Sequence, residues 1–190
     1  MLATIKITYK SIAVSFFTAM LFSCTNDSKA VRDFLAEKNL PIAVAKDAYH
    51  VYKDSGRITS KLITPILNDF SNRKNHPYNE FPEGIKIINF ENNGKDSVTV
   101  IGDYALSYSK TSISELKENV VVINHTDVSR LETSQLFWDQ KNKYFFTEKE
   151  FVLMTLNDTI SGVGFESMEN LKKYVAKKTN GNILTNEDEL

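Results

Sequence analysis

The chain has 190 residues, room for one domain with a substantial core and too little for most two-domain enzymes. Hydrophobic residues make up 42% and charged residues 25%, close to soluble globular averages, which argues against disorder, collagen-like repeats and coiled coil. Lys plus Arg total 23 against 24 for Asp plus Glu, so the net charge is −1 and no overall positive field exists to hold nucleic acid.

The N-terminus places Lys6 and Lys10 ahead of the apolar run Ile12 to Phe22, with no acidic residue before Asp27. This is the layout of a secretory signal peptide. The run covers 11 residues, well short of the ~20 that a bilayer-spanning helix needs. It ends in Leu21-Phe22-Ser23-Cys24, which resembles a bacterial lipobox. That resemblance implies cleavage before Cys24, acylation of its thiol, and a chain held on a membrane outside the cytoplasm. The competing reading is a buried hydrophobic helix with an incidental cysteine; charge order, run length and cysteine position together favour the signal. Cys24 is the one cysteine in the chain, so no intramolecular disulfide can form. Removal of residues 1–23 with Lys6 and Lys10 leaves 21 basic against 24 acidic residues, a net charge of −3.

Residues 24–46 read as the acylated cysteine followed by a polar tether. Within it Val31, Phe34 and Leu35 fall at helical spacing in Lys29 to Lys38, and Pro41 ends that stretch. From residue 47 the pattern changes to runs rich in Val, Ile, Thr, Phe and Tyr between turns such as Asp54-Ser55-Gly56, Asn92-Asn93-Gly94 and Asn157-Asp158. This predicts an all-β domain over 47–178. Its strands are Ala48–Lys53, Arg57–Asn68, Gly84–Phe90, Ser97–Tyr108, Ser114–Asn124, Ser129–Asp139, Tyr144–Leu156, Ile160–Ser167 and Leu171–Lys177. Many exceed the usual strand length of about 5 or 6, which suggests an elongated sheet of long hairpins. The two prolines of His76 to Gly84 predict a surface loop or bulged edge there. Residues 179–190 read as a disordered tail.

A weak repeat underlies the strands: Val100-Ile101-Gly102-Asp103-Tyr104-Ala105, Leu131-Glu132-Thr133-Ser134-Gln135-Leu136 and Ile160-Ser161-Gly162-Val163-Gly164-Phe165. In each, an apolar residue is followed two positions on by a small one and three further on by another apolar one. That spacing breaks the period of two, which a strand can do only by bulging so that later side chains change face. Repeated at one level, the bend folds the sheet into a V with an apolar inner surface. Unrelated bulges in an ordinary sandwich would be the alternative.

Several segments together resemble the LptC family, the periplasmic membrane-anchored components of lipopolysaccharide export. They are Asp54-Ser55-Gly56 with Thr64-Pro65, Tyr78-Asn79-Glu80-Phe81-Pro82-Glu83-Gly84-Ile85, Gly102-Asp103-Tyr104-Ala105, Glu118-Asn119-Val120-Val121-Val122, Leu131 to Leu136 and Trp138-Asp139. The resemblance spans roughly residues 49–174. It implies an antiparallel β-jellyroll, an open V-shaped "taco", that holds the acyl chains of lipopolysaccharide in an apolar groove and leaves the sugars outside. It also implies two partners docked edge to edge. The β-domain of an inner-membrane ABC transporter meets the N-terminal edge, and a periplasmic bridge protein of the same fold meets the C-terminal edge. The anchor would then sit on the periplasmic face of the inner membrane. Well-known members keep a transmembrane helix, where this chain has the lipobox-like cysteine.

The groove candidates are the positions flanking the bends: Val100, Ala105, Val120, Val122, Leu131, Leu136, Trp138, Phe151, Leu153, Ile160 and Phe165, with Gly102, Thr133 and Gly162 leaving room. By composition alone these residues fill a packed core equally well, which would make the chain a structural or interaction lipoprotein. Nothing in the sequence points to an enzyme, a cofactor or a metal. His50, His76 and His125 are scattered, Glu148 and Glu150 lie in a charged turn, and no Gly-x-Ser-x-Gly elbow or phosphate loop occurs. Lys172, Lys173, Lys177 and Lys178 bracket Tyr174 to Ala176 as a protected edge strand, a basic contact for anionic lipid or sugar, or a solvated segment.

Overall fold

The computed structural model describes residues 27–180. The expected signal peptide, the acylated Cys24 and the tail beyond residue 180 lie outside those residues. Asp27 caps helix α1 (Ser28–Glu37) by accepting from the Lys29 and Ala30 amides at 3.0 and 3.3 Å. Eleven strands follow: β1 (Ala43–Asp54), β2 (Arg57–Phe70), β3 (Tyr78–Phe81), β4 (Ile85–Glu91), β5 (Asp96–Gly102), β6 (Tyr104–Tyr108), β7 (Ile113–Asn124), β8 (Ser129–Asp139), β9 (Tyr144–Met154), β10 (Thr159–Met168) and β11 (Tyr174–Asn180). They form one antiparallel sheet in the order β11-β10-β9-β8-β7-β5-β4-β2-β3-β6, with β1 on β2 and β6 also on β7.

The sheet is folded along a line of bends, giving an all-β jellyroll. Asp47, at φ 49°, is skipped opposite Pro65 between the Lys46–Ile66 and Ala48–Thr64 pairs. Asp103 breaks the expected Ser97–Tyr108 strand into β5 and β6 and donates its amide to the Glu118 carbonyl at 3.0 Å. Glu118 and Asn119, at φ 60° and 46°, form the bulge of β7, and the pairing shifts again between Thr133 and Phe137 in β8. In β10 the shift falls at Gly164, whose φ of +82° favours glycine, two residues past the predicted position. Along β8 the inward set accordingly passes from Ser129 and Leu131 to Leu136 and Trp138, so the spacing of two then three does mark a change of face.

The bends divide the sheet into two leaves. β2 pairs β4 through Ser60–Ile63 and β3 through Asn68–Phe70; β7 pairs β6 through its first half and β5 through its second. With the β3–β6 and β4–β5 pairs this closes a ring, and β8 to β11 extend both leaves from it. One contiguous core lies between the leaves, including Leu62, Phe81, Val100, Leu116, Leu131, Leu136, Phe145, Leu153 and Phe165.

Three sequence expectations change. Tyr78 to Phe81 is an internal strand and neither a loop nor an edge, because Pro77 and Pro82 flank it and leave its own N–H groups free for the ladder; Phe81 is 3% exposed. The region expected to be a tether carries α1 and the start of β1, which gains its partners from β2. β11 starts three residues later than expected and runs on to Asn180, paired with β10.

Candidate functional site

The space between the leaves is not uniform. In the ring built from β2 to β7 it holds a cavity of about 500 Å³. Its apolar wall includes Leu62, Leu67, Phe81, Ile85, Ile87, Ala105, Leu116 and Trp138; its polar lining includes Asn79, Ser107, Ser114 and Gln140, and the charged Glu91, Lys143 and Glu169 with Asn89. Gln140 Nε2 donates to Ser114 Oγ at 3.3 Å and Ser114 Oγ donates to Ser107 Oγ at 3.0 Å, so these three side chains bond one another. Trp138 Nε1 is buried without an acceptor among the described residues. Such an orphan donor carries a cost of about 1–3 kcal/mol.

Between β8 and β11 the same space is filled. Trp138 and Phe145 meet at 5.7 Å between ring centroids, Phe151 and Phe165 at 4.9 Å, and Phe165 and Tyr174 at 5.7 Å. This aromatic packing contributes stability beyond its area burial. The jellyroll is therefore hollow toward its N-terminal side and solid toward its C-terminal side.

The predicted groove residues divide accordingly. Val100, Ala105, Val120, Val122, Leu131, Leu136, Trp138, Phe151, Leu153 and Phe165 are all inward and between 0 and 4% exposed. Ile160 packs against them partly buried, and Gly102 and Gly162 are buried. Ala105 and Trp138 reach the cavity. Val120, Thr133, Phe151 and Gly162 border a second, more open hollow of about 700 Å³ along the bends, beside Arg130, Glu132 and Glu150. Gly162 leaves room for backbone: a Cβ there would sit 2.0 Å from the Lys178 carbonyl oxygen.

The seam where the leaf tips meet is latched by polar contacts that no local sequence pattern announced. Lys143 Nζ donates to Glu91 Oε1 at 3.0 Å, which raises the lysine's pKa while partial burial opposes the rise. Glu169 is 8% exposed, and burial pushes its pKa above the usual glutamate value although Asn89 donates to it and Lys143 lies near. Its backbone amide donates to the Lys143 carbonyl at 2.9 Å, and Asn124 Nδ2 donates to the Asn170 carbonyl at 2.6 Å. The loop after β10 thus straps one leaf tip to the other, with Leu171, 3% exposed and at φ 59°, seated under it.

Two strand edges remain free among the described residues. β1 pairs only β2, and β11 pairs only β10. β1 exposes Val44, Tyr49, Val51 and Tyr52, whereas β11 exposes Tyr174 and Val175 between lysines. Lys177 bridges Glu148 and Glu166, the latter at 2.8 Å, and Lys172 lies 3.4 Å from Asp127. Two of the four C-terminal lysines are therefore already matched by carboxylates.

Among the described residues no group of three or more His, Cys, Asp or Glu is placed to hold a metal ion, and no helix is long and apolar enough to cross a membrane. Residues 13–177 match the family model described as lipopolysaccharide-assembly, LptC-related. No curated protein matches the chain.

Proposed function

The chain belongs to the LptC family and takes part in lipopolysaccharide transport, and we propose that it binds lipopolysaccharide acyl chains between its leaves and hands them onward. The cavity between β2 and β7 is the observation that carries this reading. Its apolar wall offers acyl chains about 0.8 kcal/mol per CH₂ withdrawn from water, and a seam lets the sugars stay hydrated. Trp138 Nε1 becomes satisfied if the leaves part far enough for an ester or amide carbonyl of the lipid to reach it.

Entry is through the hollow N-terminal side, next to the free edge of β1, where the β-domain of the inner-membrane ABC transporter docks. Exit is along β11 to a periplasmic bridge protein of the same fold. The aromatic stack of Phe151, Phe165 and Tyr174 fills that half, so passage requires those rings to part and the seam latches to open. Acylated Cys24 holds the chain on the periplasmic face of the inner membrane, and the chain is not an enzyme.

A photo-crosslinking residue at Trp138, in cells, tests the binding step. Adducts with lipopolysaccharide are expected there, and their absence at every bend position refutes it. Depletion of the protein should leave newly made lipopolysaccharide at the inner membrane; normal delivery to the surface removes the export role. The packed C-terminal half favours a second reading, a structural envelope lipoprotein with no lipid transfer. Failure of the purified full chain to bind lipid A would select it.

A further inference from the structure

Helix α1 is pinned to the β-domain. Arg73 Nη1 donates to the Ala36 carbonyl at 2.9 Å and Nη2 donates to Asn39 Oδ1 at 2.7 Å, while Asn72 Nδ2 lies 3.5 Å from the Arg32 and Leu40 carbonyls. Arg73 also lies 5.0 Å from the centroid of the Phe70 ring, and the Ile42 amide donates to the Asp69 carbonyl at 2.8 Å. Leu35 and Ala36 are the half-buried apolar residues of the helix. The side turned to solvent carries Val31 and Phe34, 52% and 55% exposed. Leu40 and Ile42 continue the exposed apolar surface into β1 at 47% and 39%. A run of uncovered apolar side chains on one docked helix marks a contact surface.

The chain preceding the helix identifies the occupant. Cys24 is four residues from Ser28, and four residues reach about 14 Å at full extension. An acyl anchor on Cys24 therefore holds the start of α1 within about 14 Å of the lipid headgroups, which makes the bilayer surface the partner that the chain itself keeps beside this helix.

We propose that the outer face of α1, centred on Val31 and Phe34, lies in the interfacial layer of the bilayer that holds the Cys24 anchor, so that the helix fixes the tilt of the β-domain. This rests on the reading of Cys24 as acylated. The acyl chains supply the anchoring, and the helix supplies orientation. Because only residues 38–42 separate α1 from β1, and α1 is bonded to the loop after β2 while β1 pairs with β2 itself, the hollow N-terminal side is set beside the bilayer, with β11 at the other end of the strand order.

The test uses the full-length lipoprotein, purified from membranes and reconstituted in vesicles of phosphatidylethanolamine and phosphatidylglycerol. Acylation consumes the one native thiol, so Phe34→Cys, and separately Val31→Cys, takes a nitrobenzoxadiazole label at a single site. Leu156→Cys, at an exposed turn between β9 and β10, is the reference. The expected result is blue-shifted emission at 31 and 34, quenched by spin-labelled lipid, with neither effect at 156. Emission at 31 and 34 equal to that at 156, in protein whose intact mass shows the acyl groups, overturns the interfacial contact and leaves the anchor standing. An intact mass without acyl groups overturns the anchor and the contact with it. Shielding of 31 and 34 that appears only when the transporter is added also overturns the proposal and assigns the face to a protein.

Discussion

Gly162 is the position where the smallest covalent change has the largest calculable effect. An alanine Cβ there would lie 2.0 Å from the Lys178 carbonyl oxygen, 2.9 Å from the Lys178 carbonyl carbon and 3.1 Å from Phe151 Cε1, while real Cβ contacts essentially never fall under 3.0 Å. Backbone has to move by about 1 Å, and that displacement carries a 2.9 Å ladder bond past hydrogen-bonding distance. The pairs affected are Ser161–Asn180, Gly162–Thr179 and Val163–Lys178, half of the β10–β11 register; those from Phe165–Ala176 to Ser167–Tyr174 lie beyond the bend at Gly164. Two or three lost bonds at about 0.5–1.5 kcal/mol each give roughly 1–4.5 kcal/mol, reduced by the ~0.4–1 kcal/mol that alanine gains over glycine in the unfolded chain, which centres the loss near ~2 kcal/mol. Gly162→Ala is therefore expected to lower unfolding free energy by about 1–3 kcal/mol in urea and to speed hydrogen exchange at residues 178–180 while leaving 174–176 protected. Gly102→Ala is the control, since its Cβ meets Leu116 Cβ at 3.3 Å and needs only a few tenths of an ångström. A Gly162→Ala protein as stable as Gly102→Ala, with unchanged exchange at 178–180, would refute the reasoning. On the proposed route along β11, fraying of this edge in cells should also slow lipopolysaccharide export.

Leu136→Ala removes a fully buried side chain, and chemical unfolding should show a loss of about 2–5 kcal/mol; a smaller loss would indicate that the leaves collapse around the void. Glu169 has a pKa raised by burial, so the folded chain keeps a proton that the unfolded chain has released. Its contribution is full below the ordinary glutamate pKa and is lost as pH rises through the raised one; Glu169→Gln should flatten that fall and increase stability at neutral pH, read by melting temperature against pH. An unchanged slope would mean that this carboxyl is hydrated. Arg73→Ala removes two bonds to the α1 segment, worth about 1–2 kcal/mol of docking, and should raise hydrogen exchange at 28–40 with the β-sheet protection intact.

Local chemistry made much of the fold legible. The spacing of Val31, Phe34 and Leu35 marks α1 by period, and turn residues such as Ser55-Gly56 separate runs of β-forming residues. The change of face shows in sequence wherever a strand carries inward residues on both sides of its bend, as Leu131 and Leu136 do in β8. β3 was hidden because a four-residue strand between two prolines has no pattern of its own; it exists because β2 and β6 supply the ladder on both sides. Gly162 and Gly164 look alike in sequence, yet one answers the approach of a neighbouring carbonyl and the other a left-handed backbone.

The candidate site was legible only as a set of inward residues. Alternation, with the change of face at each bend, places Val100, Leu131, Leu136 and Phe165 on one surface because side-chain direction along a strand is a local property. Whether that surface encloses space is decided by the distance between leaves, and the side chains that set it come from strands far apart in the chain. Ala105 and Leu116 leave a cavity beside Trp138, whereas Phe145, Phe151 and Phe165 close the space a few strands on. The latch joining Asn89, Glu91, Lys143 and Glu169 likewise appears only after folding. Period and turn chemistry, read within a few residues, specify an all-β domain of long strands and mark where their inward faces change, leaving open whether those changes fall at one level. Tertiary structure alone decided where that folded sheet is hollow, where it is solid and what holds it shut, because those depend on contacts between residues as much as 80 positions apart.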